Sequence, residues 1–176
     1  MKRVYANERW CIDCGRCEVA CKTAHSEFRD TVKAYLFESD TAVSRIWVQG
    51  DAHLSLAMSC RHCEHPRCVE GCISGALRKD AATGLVLVDQ SRCVGCRTCV
   101  SACPFGCIEV HELPNRAWRD GKPGARTKGL AFKCDLCAAD GVAGALGLSS
   151  APGVPACVAA CPNRALVFAE AEEVGA

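Results

Sequence analysis

Apolar residues in this chain come in short bursts separated by turns, never in a long run. Residues 44–49 (SRIWVQ), 85–89 (LVLVD), 108–111 (IEVH) and 165–169 (ALVFA) join β-branched or bulky apolar side chains to turn-rich flanks, and each predicts a short strand. Residues 76–79, the loop 80–84 and residues 85–89 read together as one hairpin. The stretch 115–129 (NRAWRDGKPGARTKG) is basic and punctuated by Gly and Pro, and 138–156 is rich in Gly, Ala, Ser and Pro; both predict exposed loops. The acidic tail beyond Phe168 predicts a frayed end. No run of about 18 apolar residues occurs, so no membrane span is expected.

Such short elements need something more to hold them. Of 176 residues 49% are hydrophobic, but that figure includes 17 Cys, and aromatic residues reach only 6%. Small domains that bury little apolar surface are stapled by disulfides or by bound metal. The opening MKRVYANERW has no apolar h-region and no twin arginine, which predicts no export signal, a cytoplasmic setting and reduced thiols. The odd number of cysteines and their tight spacing also favour metal over disulfides.

The cysteines fall into four groups: Cys11, Cys14, Cys17 and Cys21; Cys60, Cys63, Cys68 and Cys72; Cys93, Cys96, Cys99 and Cys103; and Cys134, Cys137, Cys157 and Cys161. The last three continue as CVEGCISGAL, CVSACPFGCI and CVAACPNRAL, one template of helical turn, small residues and strand entry written three times. The first, CEVACKTAHS, keeps only the spacing. Groups one and three follow C-x2-C-x2-C-x3-C, the pattern of bacterial two-cluster ferredoxins, in which the fourth cysteine serves the other cluster. Cys17/Cys21, Cys68/Cys72, Cys99/Cys103 and Cys157/Cys161 are i, i+4 pairs, a spacing that sets both thiols on one helical face. Group four alone, with C-x2-C, nineteen residues and C-x3-C, is close to a zinc ribbon. Beside groups one and three the iron–sulfur reading is preferred, because zinc sites rarely use C-x2-C-x2-C.

The segments CRHCEHPRC (Cys60 to Cys68), CVGCRTCVSACPFG (Cys93 to Gly106), KCDLC (Lys133 to Cys137) and PACVAACP (Pro155 to Pro162) carry a resemblance over nearly the whole chain. The chain resembles the four-cluster iron–sulfur subunits of molybdenum- and tungsten-dependent oxidoreductases of the dimethyl-sulfoxide reductase and formate dehydrogenase type. Soluble relatives of these subunits serve hydrogenases, carbon monoxide dehydrogenase and tungsten aldehyde oxidoreductases. The resemblance implies an α+β fold of two bacterial-type dicluster ferredoxin-like modules, with short helices and small antiparallel hairpins around four [4Fe-4S] clusters. The outer module would span 1–55 and 130–176, and the inner one 56–129. One cluster would sit on Cys11, Cys14, Cys17 and Cys161 and another on Cys134, Cys137, Cys157 and Cys21. The inner pair would use Cys60, Cys63, Cys68 and Cys103, and Cys93, Cys96, Cys99 and Cys72. The sequence departs from the pattern at Lys22 and Ile73, where a proline can follow the fourth cysteine, and it lacks the C-terminal membrane helix of some relatives.

The formal charge of +1 treats every cysteine as neutral. A [4Fe-4S] unit with its thiolates carries roughly −2, so four bring the holoprotein to about −7, which argues against a nucleic-acid partner. Cys107, left over, aligns with Ala76 and Ala165 in the repeat and reads as a small buried residue. His62 and His65 read as hydrogen-bonding or packing residues, because four cysteines already fill their site. Gly141, Gly144 and Gly147 form GxxGxxG, not GxGxxG, and predict no nucleotide site. No nucleophile–base constellation is visible. The function expected is an electron relay, not an enzyme in its own right. Its partner would be a catalytic subunit, a tungsten or molybdenum aldehyde or formate oxidoreductase before a carbon monoxide dehydrogenase or hydrogenase. A flavin- or NAD-reducing acceptor subunit is a further expected partner, and copies of the chain are able to meet end to end. The basic loop with Arg116, Arg119, Lys122, Arg126 and Lys128 reads as solvated surface.

Overall fold

A proline fixes its own φ and pushes the residue before it toward extended backbone, so a cysteine followed by proline cannot continue a helix. In the computed structural model, which describes residues 1–51, 53–113, 128–138 and 153–174, this rule sets the helix lengths. Cys103 precedes Pro104 and takes φ −82°, ψ 112°, ending α4 (Thr98–Ala102). Cys161 precedes Pro162 and takes φ −72°, ψ 111°, ending α5 (Ala156–Ala160). Group one has Lys22 in that place, and α1 (Arg16–Ala24) runs on through both Cys17 and Cys21. Only this pair shares a helix; α3 (Arg67–Glu70) holds Cys68 and stops before Cys72. The expectation of four two-thiol helices is corrected to one.

Among the described residues the strands pair as antiparallel two-stranded ribbons: β1 (Arg3–Ala6) with β8 (Leu166–Ala169), β2 (Ile46–Gly50) with β3 (Ser55–Ser59), β4 (Leu77–Lys79) with β5 (Val86–Val88), and β6 (Glu109–Leu113) with β7 (Lys128–Phe132). In the β4–β5 hairpin Asp80 accepts hydrogen bonds from the amides of Ala82 and Thr83 at 3.0 and 2.7 Å, and Gly84 turns the chain at φ +72°. Two expectations fail here. Lys128 and Gly129 belong to β7 and not to an exposed loop, because their partners Leu113 and Glu112 extend the ribbon. The acidic tail forms a helical turn, α6 (Ala171–Val174), and Glu170 pairs with the N-terminal ammonium. The remaining helix, α2 (Thr31–Phe37), is capped by Asp30, whose carboxylate accepts from the Lys33 amide at 2.9 Å. The rest of 115–129, most of 138–156 and the GxxGxxG glycines lie outside the described residues.

The chain divides into two compact units, Met1–Arg61 with Cys134–Ala176, and His62–Lys133. The first buries Ile46, Ala57 and Leu166 with Cys17, Cys21 and Cys157, and sets Ala20 and Ala24 of α1 against Ala156 and Ala160 of α5. The second buries Ala76, Leu77, Val86, Ile108 and Ala131 with Cys68, Cys93 and Cys99. Cysteine and alanine take the places that larger apolar side chains fill elsewhere. No helix among the described residues is long and apolar enough to cross a membrane.

Candidate metal centres

The ligand loops share a backbone signature. In every group the residue before the second cysteine is left-handed: Asp13 (φ 52°), His62 (45°), Gly95 (69°) and Leu136 (58°). Three residues after the fourth cysteine of groups two, three and four, Gly75, Gly106 and Arg164 are left-handed as well, at 60°, 61° and 54°. Non-glycine residues resist this region, at a cost of about 1–2 kcal/mol each. Left-handed residues in such turns form concave nests of backbone amides, which receive anions and iron–sulfur clusters.

Within the first unit, Cys11, Cys14, Cys17 and Cys161 line one recess together with Trp10, Val48, Ala57 and Leu166. Ser55 donates to the Cys11 carbonyl at 2.9 Å and Asn163 to the Trp10 carbonyl at 3.2 Å, so the group-one loop is tied both to β3 and to the turn after Cys161. Within the second unit, Cys72, Cys93, Cys96 and Cys99 line a recess with Leu77, Val88 and Val110. Cys21, Cys134, Cys137 and Cys157 also come together in the first unit. Burial pushes the Cys157 thiol well up, and the charges of Cys134, Cys21 and Cys137 push it further. Cys68 and Cys103 share the core of the second unit, while Cys60 and Cys63 lie either side of the boundary between the units.

Burial also pushes Cys17 up to about 12, with Glu18 adding to it, and Cys137 up to about 11. Cys99 rises for the same reason, helped by Cys93 and Cys96. These thiols keep their protons at neutral pH until a cation compensates the thiolate, which is the chemistry of a metal ligand. Hydrogen bonds work the other way. For Cys72 burial is outweighed by the Leu77 amide at 3.4 Å and the Ser74 hydroxyl, and for Cys96 the Thr98 hydroxyl at 3.4 Å lowers the pKa. The amides of Cys107, Leu136 and Arg45 likewise donate to Cys103, Cys134 and Cys21, at 3.4, 3.4 and 3.2 Å. Among the described residues no three His, Cys, Asp or Glu side chains converge as the ligands of one ion do. The eight thiols of the two recesses line their walls, as ligands to the corners of a larger body would. Donor set, nests and thiol hydrogen bonds fit an iron–sulfur cube.

Spacing gave no sign of the second layer of residues. His25 bonds the Cys21 carbonyl through Nδ1 at 2.7 Å and Asp135 through Nε2 at 3.1 Å, and Arg45 pairs with the other oxygen of Asp135. Burial would lower the His25 pKa, but the bonds to Asp135 and Cys21 win and raise it to about 9. Burial would raise Asp135, but His25 and Arg45 hold it well below the usual carboxylate range. In the second unit His62 is fully buried and its Nδ1 accepts from the Val86 amide at 3.0 Å, while Lys133, 3% exposed, donates to the Val86 carbonyl. His62 thus packs and hydrogen-bonds, as its place beside four cysteines suggests.

A family model described as a 4Fe-4S dicluster domain matches residues 52–171, and one described as a 4Fe-4S binding domain matches residues 9–24. The protein is 38% identical over 167 residues to the electron transport protein HydN of Escherichia coli (strain K12), a match covering 93% of this sequence and 85% of that protein. It is 38% identical to an iron-sulfur protein of Rhodospirillum rubrum, over 93% of this sequence and 79% of the other. Identity to one of the polypeptides of the anaerobic dimethyl sulfoxide reductase of Escherichia coli (strain K12) is 36%, over 93% of this sequence and 71% of that polypeptide.

Proposed function

We propose, from the premise that the chain belongs to the 4Fe-4S dicluster family of ferredoxin-like electron-transfer subunits, that its sixteen grouped cysteines hold four [4Fe-4S] clusters and relay single electrons between a catalytic oxidoreductase subunit and a further acceptor. When bound, each cluster supplies a one-electron couple whose potential depends on charge, burial and hydrogen bonds to sulfur. The observation that carries the reading is the recess lined by Cys11, Cys14, Cys17 and Cys161. Three neighbouring thiols and one from the far end of the chain supply the crossed set of a two-cluster ferredoxin. The recess in the second unit repeats this with Cys93, Cys96, Cys99 and Cys72. Cys134, Cys137 and Cys157 with Cys21, and Cys60, Cys63 and Cys68 with Cys103, complete the four sets.

The protein's own part is to hold thiolates, exclude water and set potentials. Val48, Ala57 and Leu166 shield one recess and Leu77, Val88 and Val110 the other. Amide and hydroxyl donors to sulfur stabilise the more negative, reduced form and so raise the potential. The chain is read as a carrier and not a catalyst. Its partner is read as a tungsten or molybdenum aldehyde or formate oxidoreductase, in line with a relative that is one polypeptide of a reductase. The test is anaerobic isolation with metal and sulfide analysis and identification of the companion protein. About sixteen iron and sixteen sulfide per chain are expected, with a redox enzyme travelling alongside. A folded protein saturated with zinc and free of acid-labile sulfide overturns the reading.

A further inference from the structure

Asp135 lies between Cys134 and Cys137, and everything its carboxylate touches comes from other segments except one amide. Its Oδ1 accepts from the Cys137 amide at 3.1 Å and meets His25 Nε2 at 3.1 Å, and its Oδ2 accepts from Arg45. His25 stands four residues after Cys21, bonds the Cys21 carbonyl at 2.7 Å and lies 3.6 Å from the Cys21 thiol. The Arg45 amide donates to that same thiol at 3.2 Å. One carboxylate on the group-four loop therefore grips the two residues that touch the fourth thiol of group one. Both ring nitrogens of His25 are engaged, Nδ1 by the Cys21 carbonyl and Nε2 by the Asp135 carboxylate. Arg45 is always charged. The Arg45 Nε–H is also buried with no hydrogen-bond partner among the described residues, a costly donor unless an anion faces it.

We propose that Asp135, with His25 and Arg45, forms a positioning latch that holds Cys21 in register with Cys134, Cys137 and Cys157, and that the Arg45 amide it fixes against the Cys21 thiol raises the potential of the cluster on those four cysteines. The inference rests on the four-cluster reading. A hydrogen bond to a ligand sulfur favours the added electron, so this cluster takes up electrons more readily with the latch closed than with it open.

The experiment is an anaerobic redox titration followed by electron paramagnetic resonance, with iron counted per chain, on the full-length protein and on Arg45→Gln, Arg45→Lys, His25→Gln and Asp135→Asn. Arg45→Gln and His25→Gln are expected to lower the same one of the reduction steps and leave the others in place. Arg45→Lys should restore most of that shift, because it keeps the ion pair with Asp135. Asp135→Asn should lose about a quarter of the iron, since the latch opens and one cluster is no longer held. If Asp135→Asn keeps all its iron and neither neutral variant moves a step, the latch is wrong. Shifts of two different steps by Arg45→Gln and His25→Gln overturn it too. An unsubstituted protein without iron and sulfide instead removes the four-cluster reading, and the latch with it.

Discussion

Two glycines in equivalent ligand loops separate the demand for left-handed backbone from the demand for space. Gly15 has φ +66° and nothing within 4 Å of where a Cβ would stand, whereas at Gly95, with φ +69°, a Cβ would lie 2.6 Å from the Gly129 carbonyl oxygen of β7. Gly15→Ala is therefore expected to cost only the backbone term, about 1–2 kcal/mol. Gly95→Ala adds a collision with backbone that cannot rotate away, and the loss should exceed about 3 kcal/mol. Denaturant unfolding of the two variants side by side gives the difference, and equal losses refute the argument. Cys107 is the residue best read from sequence: it is 2% exposed, as Ala76 is, and its repeat partner Ala165 is 3% exposed. The latch at Cys21 had no such signal. His25 and Asp135 are 110 residues apart, and no spacing rule joins a histidine on one cysteine helix to an aspartate inside another cysteine loop.

At the scale of elements, the same proline rule predicts an outcome against intuition. Giving group one the proline that follows the fourth cysteine of groups three and four, by Lys22→Pro, makes the sequence look more regular. It removes a helical hydrogen bond inside α1 and forces Cys21 out of the helix, where the Cys21 and Lys22 carbonyls now accept from the His25 amide at 3.1 and 3.2 Å. The expected loss is about 3 kcal/mol or more, with less helix by circular dichroism; unchanged stability refutes it. The strands rich in β-branched residues, β2, β5, β6 and β8, were legible in the sequence, and so was the β4–β5 hairpin. Strands β1, β3 and β7 were not. SLAMS and KGLAF have little intrinsic strand preference and owe their form to β2 and β6 alongside. Helix α2 escaped because it is short and places Val32, Tyr35 and Leu36 outward while burying Ala34, so its large apolar side chains trace no inward stripe. The Asp30 cap was the available signal.

For the molecule as a whole, each unit has its own buried cluster and its own pair of ribbons, but the first is built from both ends of the chain while the second is continuous. The β1–β8 ribbon joins Arg3 to Ala169, so no single cut yields the first unit intact. The second needs only residues 62–133, with Val86 held through its amide by His62 and through its carbonyl by Lys133. In the proposed ligand sets that segment contains every cysteine of two clusters except Cys60, which lies just before it. A fragment beginning at Ser59 and ending at Lys133 is therefore expected to fold and, reconstituted without oxygen, to bind about eight iron and eight sulfide. Cys103→Ala in this fragment should halve the iron, because it removes one ligand of a single cluster. Cys107→Ala should leave the iron unchanged, because its thiol donates to the Phe105 carbonyl at 3.2 Å and belongs to none of the proposed ligand sets. Iron bound by the fragment at about four per chain before any substitution would mean that one of its sets draws a ligand from outside residues 59–133. The crossing of groups two and three would then have to be redrawn.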